Sequence, residues 1–182
     1  MRHLILSFVI ATSGCVSSQE NKERQSAPDP IMADQQNPYY SRTDTAALNI
    51  SNTEWKRILP DSVYAIAREA GTERAFTGKY WDFEGLGTYR CAVCGNALFR
   101  SDSKFGSSCG WPSFFEPLRA NGVAYVDDNT HGMKRIEVRC GRCASHLGHV
   151  FDDGPPPTYK RFCMNSLVLE FEPDASGTDP RR

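Results

Sequence analysis

Two C-x-x-C turns constrain the fold of this chain more than any other feature of its sequence. Cys91 and Cys94 form the first turn, and Cys140 and Cys143 form the second after a long intervening segment. This spacing lets two thiolates bind one ion from a tight turn, and two such turns complete a tetrahedral site with four sulfur ligands. The sequence therefore predicts one structural Zn²⁺ that joins distant parts of the domain. Because protein ligands fill all four positions, a catalytic metal is not expected.

The N-terminus has the pattern of an export signal. Residues 1–14 combine a charged start with a short apolar stretch and small residues that lead directly into Cys15. This arrangement resembles a bacterial lipoprotein signal, in which cleavage leaves Cys15 as the lipidated first residue; a plain secretory signal is the alternative. We therefore expect a periplasmic or cell-envelope lipoprotein that contacts the membrane only through its lipid anchor. Val16, which stands in place of an acidic residue after the lipid site, favours the outer membrane.

Export makes disulfide bonds the alternative to zinc at the four paired cysteines, since disulfides persist in oxidising compartments. A disulfide within a C-x-x-C turn closes only a tiny loop and removes little entropy from the unfolded chain. Each turn also has an adjacent or internal glycine, Gly95 or Gly141, which gives the backbone freedom to wrap closely around an ion. These features favour zinc over disulfides.

Composition divides the remaining chain into a tether, one domain and a tail. Residues 15–52 are polar and interrupted by prolines, which predicts a flexible tether. Residues 53–172 have enough apolar content for one domain, and residues 173–182 are expected to form a disordered tail. The formal net charge of −1 gives no general attraction for nucleic acid, so no nucleic-acid partner is expected.

The domain is predicted to be mainly β with small peripheral N-terminal helices. Thr53 is a suitable N-cap for a first helix, and Pro60 and Asp61 suit the start of a second helix that Gly71 ends. Beyond Gly78, short segments alternate apolar and polar residues, which is typical of antiparallel strands. These segments are residues 88–90, 97–99, 134–139 and 166–171.

Two further cysteines, Cys109 and Cys163, lie outside the C-x-x-C turns. A nearby Arg161 and a histidine form the kind of setting that lowers the pKa of a thiol, so Cys163 is a candidate reactive thiolate. A static Cys109–Cys163 disulfide is the alternative, and the spacing of these residues does not distinguish the two.

Two histidines lie between the second C-x-x-C turn and Cys163. In a regular strand His146 and His149 would point to opposite faces, whereas a bulge at Gly148 would bring them together. Histidines that merely satisfy polar partners in the interior are the alternative to a catalytic pair.

Five short motifs occur in order between and around the C-x-x-C turns. They are Thr72-Glu73-Arg74, Cys109-Gly110-Trp111-Pro112-Ser113-Phe114, His131-Gly132-Met133, His146-Leu147-Gly148-His149 and Arg161-Phe162-Cys163-Met164-Asn165-Ser166. Together they resemble the methionine-R-sulfoxide reductases of the B type across residues 53–172. The resemblance implies a fold of two antiparallel β-sheets with a few peripheral helices. It also implies reduction of methionine-R-sulfoxide, either free or in oxidised proteins.

The resemblance assigns a role to each matching residue. Cys163 would be the nucleophile, Cys109 the resolving cysteine, and Trp111 the indole that receives the methyl group of the substrate. His146 and His149 would assist proton transfer, with His149 as the acid. The supporting polar residues would be Asp153, Arg161 and Asn165, and the structural zinc ligands would be Cys91, Cys94, Cys140 and Cys143. A thioredoxin-like reductant would reopen the Cys109–Cys163 disulfide.

Two other functional classes fit parts of the sequence. A secreted zinc-ribbon binding module would use the four paired cysteines without catalysis, and its function would survive loss of Cys163. A thiol–disulfide oxidoreductase would change the oxidation state of a C-x-x-C pair instead of that of Cys109 and Cys163.

Overall fold

The computed structural model describes residues 37–175. The predicted signal segment, Cys15 and residues 16–36 of the tether lie outside the described residues, as do residues 176–182 of the tail. Within the described part, neither helix has the length and hydropathy needed to cross a membrane.

The described chain contains two short helices followed by nine strands. The helices are α1 (Asn52–Ile58) and α2 (Asp61–Ala67), and the strands are β1 (Gly87–Cys91), β2 (Ala97–Arg100), β3 (Lys104–Phe105), β4 (Ser113–Phe114), β5 (Val123–Asp128), β6 (Arg135–Cys140), β7 (His146–Phe151), β8 (Arg161–Met164) and β9 (Leu169–Pro173). They form a three-stranded sheet of order β2-β1-β9 and a six-stranded sheet of order β3-β4-β8-β7-β6-β5. All strand pairs are antiparallel, which confirms the predicted fold class.

Aromatic side chains pack between the two sheets and form the centre of the core. Tyr89 and Phe99 come from the three-stranded sheet, and Phe114 and Phe162 come from the six-stranded sheet. Phe99 stacks on Phe114 with ring centroids 4.4 Å apart, while Tyr89 meets the same ring edge-on at 4.9 Å. Such contacts combine a large buried area with favourable ring geometry, so they fix the two sheets against each other.

Both helices differ from the predicted boundaries. Ser51, not Thr53, caps α1, because its hydroxyl accepts the backbone N–H of Glu54 at 3.2 Å. Helix α2 ends at Ala67, well before Gly71. The chain leaves the helix through Ala70, which has a positive φ of 55° and cannot continue a right-handed helix.

The predicted strand at residues 166–171 is wrong in its first half. Ser166–Val168 forms a 3₁₀ turn, and the strand begins only at Leu169. The backbone N–H groups of Ser166 and Leu167 donate to the carboxylate of Glu73 and are therefore not available to a neighbouring strand. Alternation of apolar residues could not reveal this distant partner.

Residues 37–51, which the sequence analysis places in the tether, pack against the domain; we call them the N-terminal arm. Asn37 is buried and donates its side-chain amide to the carbonyl of Val93 at 2.7 Å. The Tyr39 ring contacts Trp55 edge-on with centroids 5.4 Å apart. The packed part of the chain therefore begins before residue 53, since Asn37 binds a backbone carbonyl and Tyr39 packs on a core ring.

The boundary with the C-terminal tail also shifts. β9 extends to Pro173, and Asp174 forms an ion pair with Arg100 at 2.7 Å. The backbone N–H of Asp174 also donates to the carbonyl of Leu86 at 3.0 Å. The ordered domain thus continues past residue 172, because β9 needs its last residues to complete the pairing with β1.

Candidate active site and metal centre

Strand β8 directs Cys163 away from the core. Phe162 and Met164 are buried between the sheets, whereas Arg161 and Cys163 are only partly buried. Because side chains alternate between the two faces of a strand, burying the first pair commits the second pair to the opposite face. Cys163 is therefore held at an accessible surface by a strand anchored in the core.

The two strands that flank β8 bring polar residues beside Cys163. Ser113 of β4 and His149 of β7 are both directly opposite Cys163 in the antiparallel register. Directly opposite residues of antiparallel strands place their side chains on the same face, within reach of one another. The structure thus brings Cys163 and His149 together, as the resemblance implies.

A bulge in β7 brings the two histidines together. Arg139 pairs with His146 and Val138 pairs with Gly148, so β7 contains one extra residue at this point. The rings of His146 and His149 consequently lie 5.4 Å apart instead of on opposite faces. The bulge predicted at Gly148 is confirmed. A Cβ atom at Gly148 would lie 2.0 Å from the carbonyl oxygen of Cys163, so only glycine allows this approach of β7 to β8.

Cys109 and Cys163 form a close pair of thiols. Their Sγ atoms are 3.5 Å apart, and both residues are partly exposed. Cys109 lies in the loop before β4, where the hydroxyl of Ser107 is 2.8 Å and that of Ser113 is 3.4 Å from its Sγ. The two sulfurs are not bonded in this structure, yet a small movement would join them.

The contact between the two thiols shifts their pKa values in opposite directions. The hydrogen bond from the Cys163 thiol, helped by the hydroxyls of Ser107 and Ser113, lowers the pKa of Cys109 to about 4. The same contact with Cys109, together with burial, raises the pKa of Cys163, and Arg161 opposes this rise. Arg161 thus favours the Cys163 thiolate that the sequence analysis predicts, while the contact with Cys109 opposes it.

His149 is oriented by a carboxylate that sequence analysis did not identify. Its Nε2 atom lies 2.8 Å from Asp128 at the end of β5. Hydrogen bonds from the side chain and backbone of Thr130, and then that from His149, lower the pKa of Asp128, while Arg135 adds an ion pair at 2.6 Å. A permanently ionised Asp128 fixes the orientation of the ring and leaves Nδ1 of His149 available to a substrate.

His146 is held in a different state from His149. It is almost fully buried, and its Nδ1 lies 2.7 Å from the carboxylate of Glu137. Burial lowers the pKa of His146 although Glu137 opposes the shift, so the ring is neutral at neutral pH. Its Nε2 atom has no hydrogen-bond partner among residues 37–175. A neutral ring that uses its Nδ1 proton on Glu137 is poorly suited to deliver a proton to a substrate.

The other three polar residues of the predicted site support this arrangement. Asp153 binds Arg161 through two hydrogen bonds of 2.8 and 2.9 Å, and so it acts at one remove from the thiols. Asn165 is buried, and its side-chain amide donates to the carbonyl of Leu147 at 3.0 Å. Since Leu147 lies within the bulge of β7, Asn165 ties the end of β8 to the histidine-bearing segment.

Trp111 is held in place from outside the sheets. Its indole N–H donates to the backbone carbonyl of Glu73 at 3.1 Å. The carboxylate of the same Glu73 accepts the N–H groups of Ser166 and Leu167 at 2.6 and 3.0 Å. Of the site residues that sequence analysis did not identify, Glu73 and Ser113 had a signal, because each lies in one of the five motifs.

The four paired cysteines come together where β1 ends at Cys91 and β6 ends at Cys140. Their sulfur atoms all lie within 4.8 Å of one another, and all four side chains are buried. The Cys91–Cys143 and Cys94–Cys140 sulfur separations are 3.7 and 3.6 Å. Zinc–sulfur bonds of about 2.3 Å in a tetrahedron place sulfur atoms about 3.8 Å apart, so the donor set fits a zinc ion.

The pKa shifts of Cys91, Cys94 and Cys140 show that the sulfurs of the cluster interact strongly with one another. Hydrogen bonds from Cys140 and its neighbours raise the pKa of both Cys91 and Cys94. The contact with Cys143 lowers the pKa of Cys140, and the amide of Asn96 donates to its sulfur at 3.5 Å. Four deprotonated sulfurs at these distances would repel one another, and a divalent metal would compensate that charge.

The N-terminal arm braces the cysteine cluster. Arg142, inside the second C-x-x-C turn, donates to the carbonyl oxygens of Cys94 and Tyr39 and forms an ion pair with Asp44. The N–H of Ser41 also donates to the carbonyl of Cys94 at 3.0 Å. One arginine thus links both turns of the metal centre to the segment that precedes the domain.

Comparison with known proteins agrees with this geometry. The chain matches the SelR domain family over residues 59–173. It is 56% identical over 123 residues to the peptide methionine sulfoxide reductase MsrB of Thiobacillus denitrificans, covering 68% of this chain and 93% of that relative. The MsrB of Agrobacterium fabrum is 52% identical over 126 residues, with coverage of 69% and 93%. The MsrB of a Synechococcus species is 50% identical over 131 residues, with coverage of 72% and 96%. Through its domain, its relatives and the geometry of its site, the chain belongs to the MsrB family of peptide methionine sulfoxide reductases.

Proposed function

We propose that this protein reduces methionine-R-sulfoxide to methionine through a sulfenic acid on Cys163 and a disulfide between Cys163 and Cys109. The observation that carries the proposal is the 3.5 Å separation of the two sulfur atoms. The thiol pair lies beside His149, Arg161 and Trp111, to which the family resemblance gives roles in the reaction. The same geometry serves sulfoxides in oxidised proteins and free methionine sulfoxide.

The first step transfers oxygen from the substrate to Cys163. The Cys163 thiolate attacks the sulfoxide sulfur while His149 gives a proton to the sulfoxide oxygen. Methionine leaves, its sulfur reduced by two electrons, and Cys163 is oxidised by two electrons to the sulfenic acid. The His149 ring is left neutral, which balances the charge lost from the thiolate.

Formation of the nucleophile needs a proton transfer within the thiol pair. In this proposal the proton of Cys163 passes to Cys109 across the 3.5 Å contact and leaves the thiolate on Cys163. Arg161 lowers the pKa of Cys163 and so favours the thiolate once the charge has moved. Only Cys163, not Cys109, lies directly opposite His149 in the sheet, which supports Cys163 as the attacking residue.

The second step regenerates the enzyme. Cys109 displaces the hydroxyl of the Cys163 sulfenic acid, so that a disulfide forms and water is released. A dithiol protein of the thioredoxin class then reduces the disulfide. Both cysteines are partly exposed, which gives such a reductant access to the bond.

Selectivity for the R epimer follows from the two sides of the site. The Trp111 indole provides an apolar surface for the methyl group, and His149 provides the donor for the oxygen. The S epimer would direct its oxygen toward the indole and leave the donor without a partner, which costs binding free energy in the transition state.

We assign the cysteine cluster a structural zinc ion held by Cys91, Cys94, Cys140 and Cys143. When bound, the ion joins the two turns and contributes its binding free energy to folding. The four cysteine residues are at most 2% exposed, so their sulfurs are poorly placed for exchange with a partner's dithiol. This burial counts against a thiol–disulfide oxidoreductase that uses a C-x-x-C pair. The partly exposed thiol pair counts against a zinc-ribbon module without catalysis.

The proposal includes export as a lipoprotein of the cell envelope, with Cys15 as the lipidated residue and attachment to the outer membrane. It rests on the sequence pattern of residues 1–15 alone. A tether ahead of the N-terminal arm would let the enzyme reach oxidised proteins near the membrane.

Substitution of the two thiols separates their roles. Cys163→Ser should abolish even one turnover, because a neutral hydroxyl is a far weaker nucleophile than a thiolate. Cys109→Ser should still release about one methionine per enzyme and then stop as a sulfenic acid. It also removes the main cause of the raised pKa of Cys163, so the first turnover should not slow. Rapid-mixing single-turnover assays with mass detection of the oxidised cysteine measure both outcomes.

The opposite pattern would overturn the roles assigned to the pair. One turnover in Cys163→Ser, with the oxygen found on Cys109, would make Cys109 the nucleophile. Normal thioredoxin-coupled recycling in Cys109→Ser would remove Cys109 from the resolving step and leave Cys163 in place. Activity on the S epimer equal to that on the R epimer would contradict the substrate assignment.

Replacing the carboxylate behind His149 tests its role as acid. Asp128→Asn should slow the first turnover by about 10-fold or more, because an amide no longer fixes the ring and its proton. His149→Ala should slow it by roughly 10²–10⁴-fold. Asp127→Asn is the matched control, since Asp127 is the exposed neighbour on the same strand. Equal first-turnover rates for Asp128→Asn and Asp127→Asn would exclude the Asp128 contact from catalysis.

Metal analysis and thermal unfolding test the zinc assignment. Purified, reduced protein should contain one zinc per chain, and Cys94→Ser should lose it. The variant should unfold roughly 10 °C or more below wild type, because a loss of about 3 kcal/mol shifts a domain of this size by that amount. Cys109→Ser, which removes a thiol outside the cluster, should keep the metal. Zinc-free protein with the four cysteines in disulfides would refute the assignment.

Mass spectrometry of the mature protein tests the lipid anchor. Expression of the full chain in a bacterium with lipoprotein processing should give an N-terminus at Cys15 that carries acyl chains. Cys15→Ser should abolish the modification and release the protein from the membrane fraction. An unmodified mature N-terminus in the wild-type protein would reject the lipoprotein form and leave plain secretion.

A further inference from the structure

Glu73 contacts three separate parts of the active site, although it contacts neither thiol and neither histidine in the described hydrogen bonds. Its carboxylate binds the turn after β8, its N–H binds Asn165, and its carbonyl binds Trp111. No role follows for it from the proposed chemistry. Its contacts therefore need their own explanation.

The carboxylate anchors Glu73 to the chain directly after the thiol-bearing strand. Oε1 accepts the backbone N–H of Ser166 at 2.6 Å, and Oε2 accepts that of Leu167 at 3.0 Å. A carboxylate that accepts two adjacent N–H groups forms strong, charge-assisted hydrogen bonds. Each oxygen has one donor, so the side chain can neither rotate nor shift without losing a bond.

The backbone of Glu73 extends this anchor in two directions. Its N–H donates to Oδ1 of Asn165 at 3.0 Å, and its carbonyl accepts the indole N–H of Trp111 at 3.1 Å. Asn165 in turn donates through its backbone and its side chain to the carbonyl of Leu147 in the β7 bulge. Glu73 thus connects the indole of Trp111 to the end of β8 and, through Asn165, to β7.

The surroundings show that no larger group fits over the anchor. A Cβ atom at Gly78 would lie 2.5 Å from Oε1 of Glu73 and 2.3 Å from Oγ of Ser166. Ser166 is buried, and its hydroxyl accepts the N–H of Tyr80 at 3.3 Å. The chain therefore packs closely against Oε1 of Glu73 at this point.

We infer that Glu73 is a positioning residue that sets the distance of the Trp111 indole from Cys163 and so determines how tightly the methyl group of the sulfoxide is bound. The inference rests on the proposed function of Trp111. Glu73 acts on binding more than on bond breaking, because it has no contact with the thiol pair or with His149. Its loss should therefore weaken substrate binding more than it slows the chemical step.

Glu73→Gln and Glu73→Ala test this inference in single-turnover assays well below the unfolding temperature. Glutamine keeps one acceptor oxygen but faces the second backbone N–H with its own amide protons. The sulfoxide concentration that gives half the maximal rate should rise about 10-fold for Glu73→Gln, and further for Glu73→Ala. The maximal first-turnover rate should change less than about 3-fold. Glu69→Gln is the control, since Glu69 is an exposed glutamate shortly before it in the chain.

A double-mutant cycle with Trp111→Phe shows whether Glu73 acts through the indole. Phenylalanine keeps an apolar ring but lacks the N–H that binds the carbonyl of Glu73. In the Trp111→Phe background, Glu73→Gln should raise the half-saturating concentration less than about 2-fold, because the link has already been removed. Independent, multiplicative effects of the two substitutions would contradict the inference.

Acrylamide quenching of fluorescence gives a readout that does not depend on turnover. The signal of Trp111, one of three tryptophans, is obtained by subtracting the signal of the matching Trp111→Phe protein. Quenching of Trp111 should increase in Glu73→Gln and Glu73→Ala but not in Glu69→Gln. A lower unfolding temperature with unchanged quenching and unchanged half-saturation would give Glu73 a merely structural role. Wild-type protein that does not reduce the sulfoxide would overturn the proposed function, while quenching would still test the Trp111 contact.

Discussion

The burial of Phe162 and Met164 between the two sheets determines where the chemistry of this protein takes place. Because side chains alternate along β8, the packing of these two residues in the core directs Cys163 to the opposite face of the six-stranded sheet. The pairing of β8 with β4 and β7 then brings Ser113 and His149 beside the thiol. The reactive residues thus inherit the rigidity of a sheet whose other face is the aromatic core, which meets the need of catalysis for fixed distances.

The bulge in β7 adds the second histidine to this surface, and its position could be predicted while its partners could not. Gly148 between two histidines is a local signal for a bulge, and the close approach to the Cys163 carbonyl explains the glycine. Asp128 and Glu137, which bind the two rings, lie on β5 and β6. Their placement depends on the register of three strands, and no local pattern in the sequence fixes that register.

In the rest of the structure, features that depend on residues close in the sequence could also be predicted, and those that depend on distant partners could not. The cysteine cluster could be predicted because two residues of each C-x-x-C turn are neighbours in the chain. The N-terminal arm could not, because Asn37 is polar and its partner Val93 is 56 residues away. The turn at Ser166 could not be predicted either, because the alternation at residues 166–171 favours a strand. The N–H groups that a strand would need donate instead to the carboxylate of Glu73, which is distant in the sequence.

The contact between the two thiols links this architecture to both halves of the proposed cycle. The hydrogen bond from the Cys163 thiol, with those of Ser107 and Ser113, lowers the pKa of Cys109, and Arg161 acts to lower that of Cys163. In the proposed first step Cys163 needs the negative charge, and transfer of its proton to Cys109 across 3.5 Å would supply it. In the proposed second step Cys109 needs the charge, and the two serine hydroxyls beside its sulfur would still stabilise it after Cys163 has been oxidised. Each thiol of the pair thus has its own polar partners for the step in which it would attack.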